Sequence, residues 1–117
     1  MRYMCLMKSD EHQGETPPAI YEAMAEYDRW GRETGVLIDS QGLLPSSEGA
    51  IVSLADGAIK AVDGPFTEAK ELVGGYAVID VRSHEEALEL GRRLMQIHAD
   101  HWPGFVGSVE IRRVAEF

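Results

Sequence analysis

The chain has 117 residues, a length at which one hydrophobic core and therefore one domain, 1–117, is expected. Apolar residues make up 44% and charged residues 26%, which excludes collagen-like, coiled-coil and wholly disordered classes. Twenty acidic against eleven basic side chains give a net charge of −9, which opposes phosphate neutralisation and repels anionic lipid, so neither direct nucleic-acid binding nor membrane association is expected.

Residues 2–8 form a short, mostly apolar run ended by the polar stretch 9–15, the pattern of a strand covered on both faces. The lone cysteine, Cys5, lies inside it and reads as a buried side chain rather than a nucleophile. Thr16 is positioned to cap a first helix with Pro17 at its first position, and Gly35 marks the far end. Ile20, Met24, Tyr27 and Trp30 recur at helical spacing and predict an apolar stripe along that helix. Residues 36–44 read as a strand. Residues 50–54 and 58–62 flank Asp56-Gly57, a dipeptide suited to a tight hairpin turn, and are expected to pair antiparallel. Residues 72–82 alternate as a strand, and Gly74-Gly75 within it permits a bulge. Ser83-His84-Glu85-Glu86 is a capping box opening a second helix with Ala87, Leu90, Leu94 and Ile97 as its stripe. Pro103-Gly104 breaks the chain before a last strand at 105–114.

The order predicts an α+β fold, a ferredoxin-like βαββαβ with an added β-hairpin, its antiparallel sheet carrying two helices on one face. The other sheet face then needs cover, and a homodimer is expected to supply it, the alternative being a sheet that bends near Gly42 and curls over itself. No basic-then-apolar leader opens the chain and no apolar run approaches the roughly 20 residues that span a bilayer, so a cytoplasmic protein is expected.

The run Asp63-Gly64-Pro65-Phe66-Thr67-Glu68-Ala69-Lys70-Glu71, followed by Leu72-Val73-Gly74-Gly75-Tyr76, resembles the signature of the DGPF branch of the YCII-related proteins. The opening strand, the first helix ending before Gly35, the capping box and the closing run 107–112 extend the resemblance over nearly the whole chain. It implies a dimeric α/β barrel. For the wider family it implies a His–Asp pair in a cleft with the histidine on the first helix, and for the DGPF branch an association with extracytoplasmic-function sigma factors. Residues 16–34 contain no histidine; His12, in the loop after the first strand, reads either as a substitute for that dyad histidine beside Asp63 or as an ordinary exposed loop residue.

Asp63 ends a strand before a tight turn, where a carboxylate serves as a general acid or base or else bonds the amides of its own turn. Gly64 and Pro65 shape that turn, and Phe66 offers a ring either to a ligand or to the core. Glu68, Lys70 and Glu71 bring opposite charges close enough to hold a polar ligand, though a solvated loop has the same composition. Gly75 allows a ligand to approach the backbone, and the Tyr76 hydroxyl can orient one. His98 and His101 stand three residues apart on a helix, a spacing suited to two metal ligands or to serving the helix's last carbonyls. No third ligand accompanies them, so neither metal nor cofactor is expected. The sequence points to a small-molecule-binding domain, with or without enzymatic activity, whose site is the DGPF loop. Its alternative is a regulatory module acting beside a sigma factor.

Overall fold

Strand β1 (Arg2–Ser9) is the seam of the molecule: it pairs antiparallel with β5 (Leu72–Asp80) on one side and β6 (Gly107–Arg113) on the other. Strand β2 (Leu37–Gly42) adds along β5, giving the sheet order β2-β5-β1-β6 in a computed structural model that describes every residue except Thr67. Helices α1 (Pro18–Glu33) and α2 (His84–His101) complete an α+β architecture consistent with a ferredoxin-like fold. Among the described residues no helix is long and apolar enough to cross a membrane.

Strand alternation sends Tyr3 and Cys5 of β1 toward the helices, while Met4 and Leu6 face the opposite way and remain half-buried. The filled core gathers at one end of the helix-facing side, where Tyr3, Cys5, Ile79 and Val81 meet Ala87 of α2. Opposite Met7 and Lys8 the register slips, with Met7 facing Gly75 and Lys8 facing Val73. Gly74 is the extra residue, so the glycine pair does form a bulge.

Helix α1 begins one residue later than its Thr16–Pro17 signal suggests. Pro17 sits at the N-cap with ψ 141°, and no side chain caps the helix. A residue preceding proline is disfavoured from helical geometry, so Pro18 holds Pro17 extended and carries the start past Thr16. Helix α2 follows its signal: the Ser83 hydroxyl accepts from the Glu86 amide at 3.1 Å. The return arm of the box is replaced, since the Glu86 carboxylate lies 3.7 Å from Arg82 Nε. The last strand starts at Gly107 because the Phe105 amide donates to Trp102 O in the turn that closes α2.

Among the described residues, strands β3 (Ala50–Ala55) and β4 (Ala58–Asp63) pair only with each other, around Asp56 and Gly57 at φ 51° and 77°. Positive φ at both central residues is the turn that matches strand twist in two-residue hairpins. The hairpin's base is closed by Gly64 N–H donating to Gly49 O at 2.8 Å. A Cβ at Gly64 would sit 1.8 Å from Ser46 O, so no other residue fits there.

Replacing the Ser83→Ala cap removes one satisfied helix-end amide, and the expected loss is about 1 kcal/mol. Urea denaturation should show a lower midpoint with an unchanged slope, the sign of lost stability in an unchanged fold.

Candidate functional site

Cross-strand rows explain where the helix-facing side is full and where it is empty. The row Leu37–Ile79–Tyr3 is built from large side chains and meets the packed core. The next row is Ser40–Ala77–Cys5–Ile111, and the one after is Gly42–Gly75–Met7–Val109. Side-chain volume thus falls to almost nothing on β2 and β5. Above this floor lies a cavity of about 780 Å³, within the size range of small-molecule sites. Ile20, Met24, Tyr27 and Trp30 of α1 line it from above, and Leu90, Leu94 and His98 of α2 from the side.

Helix α1 does not collapse into this space because its C-terminal half is fixed. A Cβ at Gly31 would lie 2.8 Å from Leu37 Cβ, so only glycine lets the helix approach β2 this closely. Tyr27 stacks on Trp30 with ring centroids 5.8 Å apart, and the Arg93 guanidinium of α2 lies over both rings at 4.8 and 4.3 Å. Cation–π contacts of this kind contribute about 0.5–1 kcal/mol. The Tyr27 hydroxyl donates to Leu90 O at 2.8 Å. Burial pushes that phenol up to about 12, with Arg93 acting against the rise.

The mouth is formed by the loop after β1, which is tied at two points. Gln13 donates to Val106 O and accepts from Val106 N, both at 2.7 Å, as a neighbouring strand would. Glu11 accepts from both the amide and the hydroxyl of Ser46, and Ser46 Oγ accepts from the Phe66 amide at 2.9 Å. Phe66 is therefore connected to the cavity mouth through Ser46.

The walls are mostly apolar and carry a few polar groups. Asp28 accepts from Ser40 Oγ at 2.8 Å and from Arg32 Nε at 3.0 Å. The Ser40 bond chiefly, aided by Arg32, holds the Asp28 carboxyl below its ordinary range. Cys5 lies in the floor, and burial raises its thiol to about 11. A protonated thiol is a poor nucleophile. His98 is buried on the α2 side with Nδ1 2.9 Å from Leu94 O.

The residues singled out in the sequence fall differently. Asp63 is exposed at the end of β4, where it borders a shallow depression with Ser47, Glu48 and Gly49, away from the cavity. His12 is exposed and is not part of the cavity wall; its amide donates to Asp10 Oδ1 at 2.8 Å. No hydrogen bond joins His12 to Asp63 among the described residues. Gly64, Pro65 and Phe66 build the hairpin base, Glu68 and Lys70 are exposed, and Glu71 accepts from Ser108 Oγ at 3.3 Å. Thr67 lies outside the described residues. Among the described residues, only Gly75 and Tyr76 of the candidates named between Asp63 and Tyr76 line the cavity. The Tyr76 hydroxyl donates to Asp39 Oδ2 at 3.1 Å, a bond that raises its phenol. His98 serves a carbonyl of its own helix and His101 is exposed. Among the described residues no group of three His, Cys, Asp or Glu side chains is placed to hold a metal ion.

Asp28, Ser40 and the helix-facing role of Ala77 escaped the sequence reading. The stripe on the first helix was visible, but the small residues opposite it emerge only from the register.

The model of the YCII-related domain matches residues 1–117. An uncharacterised protein of Rhizobium meliloti (strain 1021) is 34% identical over 83 residues, which cover 71% of this chain and 63% of that protein. The match thus spans less than two thirds of the relative's length.

Burial of Cys5 predicts two outcomes. The thiol should resist an aromatic disulfide reagent in the native protein at pH 8 and react once urea unfolds the chain; rapid native reaction contradicts the assignment. Because the folded-state value is raised from 9.0 to about 11, the stabilising contribution is complete below pH 9 and is lost as pH climbs through 11. Thermal midpoints should fall over that window, and less so in Cys5→Ala.

Proposed function

The chain belongs to the YCII-related domain family, and from that premise we propose that it is a small-molecule-binding domain whose ligand sits between helix α1 and the sheet. The observation that carries this reading is the cavity of about 780 Å³, with apolar walls and few polar groups, over a floor of Ser40, Ala77, Gly42 and Gly75. Core side chains normally fill such space, and an unfilled volume this large forfeits packing energy unless something occupies it. The Asp63-Gly64-Pro65-Phe66 run supports placement in the DGPF branch. In this reading that segment braces the mouth: the Phe66 amide holds Ser46, and Ser46 holds Glu11. Catalysis by Asp63 and His12 would require both to reach a ligand from outside the cavity walls.

A cavity-filling substitution tests the reading. In a packed core an added side chain of this size costs about 1–3 kcal/mol. Ala77→Leu extends into empty space, so its thermal midpoint should equal or exceed the wild-type value while binding of 2-methoxynaphthalene is lost. Asp63→Asn should leave that binding unchanged. Loss of stability in Ala77→Leu, or loss of binding in Asp63→Asn, contradicts the site.

A second reading concerns partners and is favoured by two apolar surfaces. Val52, Leu54 and Ile59 of the hairpin are 68%, 70% and 77% exposed. The sheet face away from the helices carries half-buried Met4, Leu6 and Val78 beside the Lys8–Glu110–Arg112 ion pairs. Two such sheets packed face to face make the homodimeric α/β barrel, and self-association is the simplest cover. Sedimentation equilibrium should give twice the chain mass for wild type and a monomer for Val78→Glu. A wild-type monomer at micromolar concentration contradicts the dimer and turns these surfaces toward another protein, for which a sigma factor is the candidate.

A further inference from the structure

The cavity contains one buried polar side chain whose hydrogen-bonding capacity is only half used. His98 is 6% exposed and lines the cavity, with its ring 4.7 Å from that of Phe105. Its Nδ1 lies 2.9 Å from Leu94 O. A carbonyl can only accept, so Nδ1 carries the proton, and in the neutral ring Nε2 is an acceptor. Nε2 has no partner in the chain among the described residues. Yet no sealed polar side-chain atom lacks a partner there, so Nε2 must border open space. His98 itself lines the cavity, which supplies open space beside this buried ring.

We propose that His98 Nε2 is the anchor of the binding site, and that it selects a largely apolar ring compound carrying one O–H or N–H donor. This deepens, and rests on, the small-molecule reading above. A donor reaching Nε2 leaves the rest of the ligand among Met7, Met24, Trp30 and Phe105, where ring faces and thioethers favour an aromatic body. The mouth adds a charge preference. Asp10, Glu11 and Glu15 all stand there and are exposed, so the ligand is uncharged rather than anionic.

Calorimetric titration at neutral pH with three probes of one size tests this. 2-Naphthol has the donor, 2-methoxynaphthalene lacks it, and 2-naphthoate carries a negative charge. One additional hydrogen bond should make 2-naphthol about five- to tenfold tighter than 2-methoxynaphthalene, with 2-naphthoate the weakest. His98→Phe keeps a ring in place without the acceptor, and there the two neutral probes should bind alike, at the affinity that wild type shows for 2-methoxynaphthalene. Equal affinities of the neutral probes for wild type, or a 2-naphthol preference that survives in His98→Phe, overturns the role of His98 and leaves the cavity reading intact. Tight binding of 2-naphthoate overturns the charge preference, and failure of every probe overturns the cavity reading itself. Should His98→Phe not fold, nitrogen NMR of wild-type imidazoles decides: His98 Nε2 must shift with 2-naphthol and not with 2-methoxynaphthalene, and an unmoved Nε2 overturns the proposal.

Discussion

Helix α1 is fixed to the sheet toward its C-terminal end, where Gly31 comes so close to Leu37 that a methyl group would not fit between them. The Tyr27–Trp30–Arg93 stack fastens the same half of the helix to α2. The N-terminal half therefore crosses the sheet at a height set elsewhere and cannot follow the floor as its side chains shrink. Beneath it the rows step from Leu37–Ile79 to Ser40–Ala77 to Gly42–Gly75. The cavity is the volume between a fixed roof and a falling floor.

Two consequences follow from that constraint. The molecule has a filled core at the Tyr3–Val81–Ala87 end and an open one toward the hairpin, so the packed core and the cavity occupy opposite ends of the same sheet. The loop after β1 must then cross an unfilled edge without support from below. Gln13 and Glu11 hold it by bonds to Val106 and Ser46, groups that belong to other loops. Ser46 in turn is held by the Phe66 amide, which gives the DGPF-like segment a structural task at the mouth.

Local chemistry was legible in the sequence, and long-range register was not. Ser83 as a cap, Gly35 as a helix stop and Asp56-Gly57 as a hairpin turn each act within a few residues, and each is found where its type requires. Pro17 misled by one position because two prolines in succession impose a restriction on the first that a single proline does not. The candidate site shows the same divide. Asp63, His12 and the charges at 68–71 attract attention as a motif, yet Asp63 and His12 lie outside the cavity walls. Ala77 and Ser40 carry no motif at all. They matter because they face each other across β2 and β5, beneath a helix whose Met24 and Trp30 read as ordinary core positions.

The most direct test of this account uses the five methionines, of which Met7 and Met24 line the cavity while Met1, Met4 and Met95 do not. With methyl-labelled methionine, titration of 2-methoxynaphthalene should shift the Met7 and Met24 resonances saturably and leave the other three in place. A shift centred on Met4, on the far face of the sheet, or no saturable shift at all, would contradict the claim that the space between α1 and the sheet is the binding site.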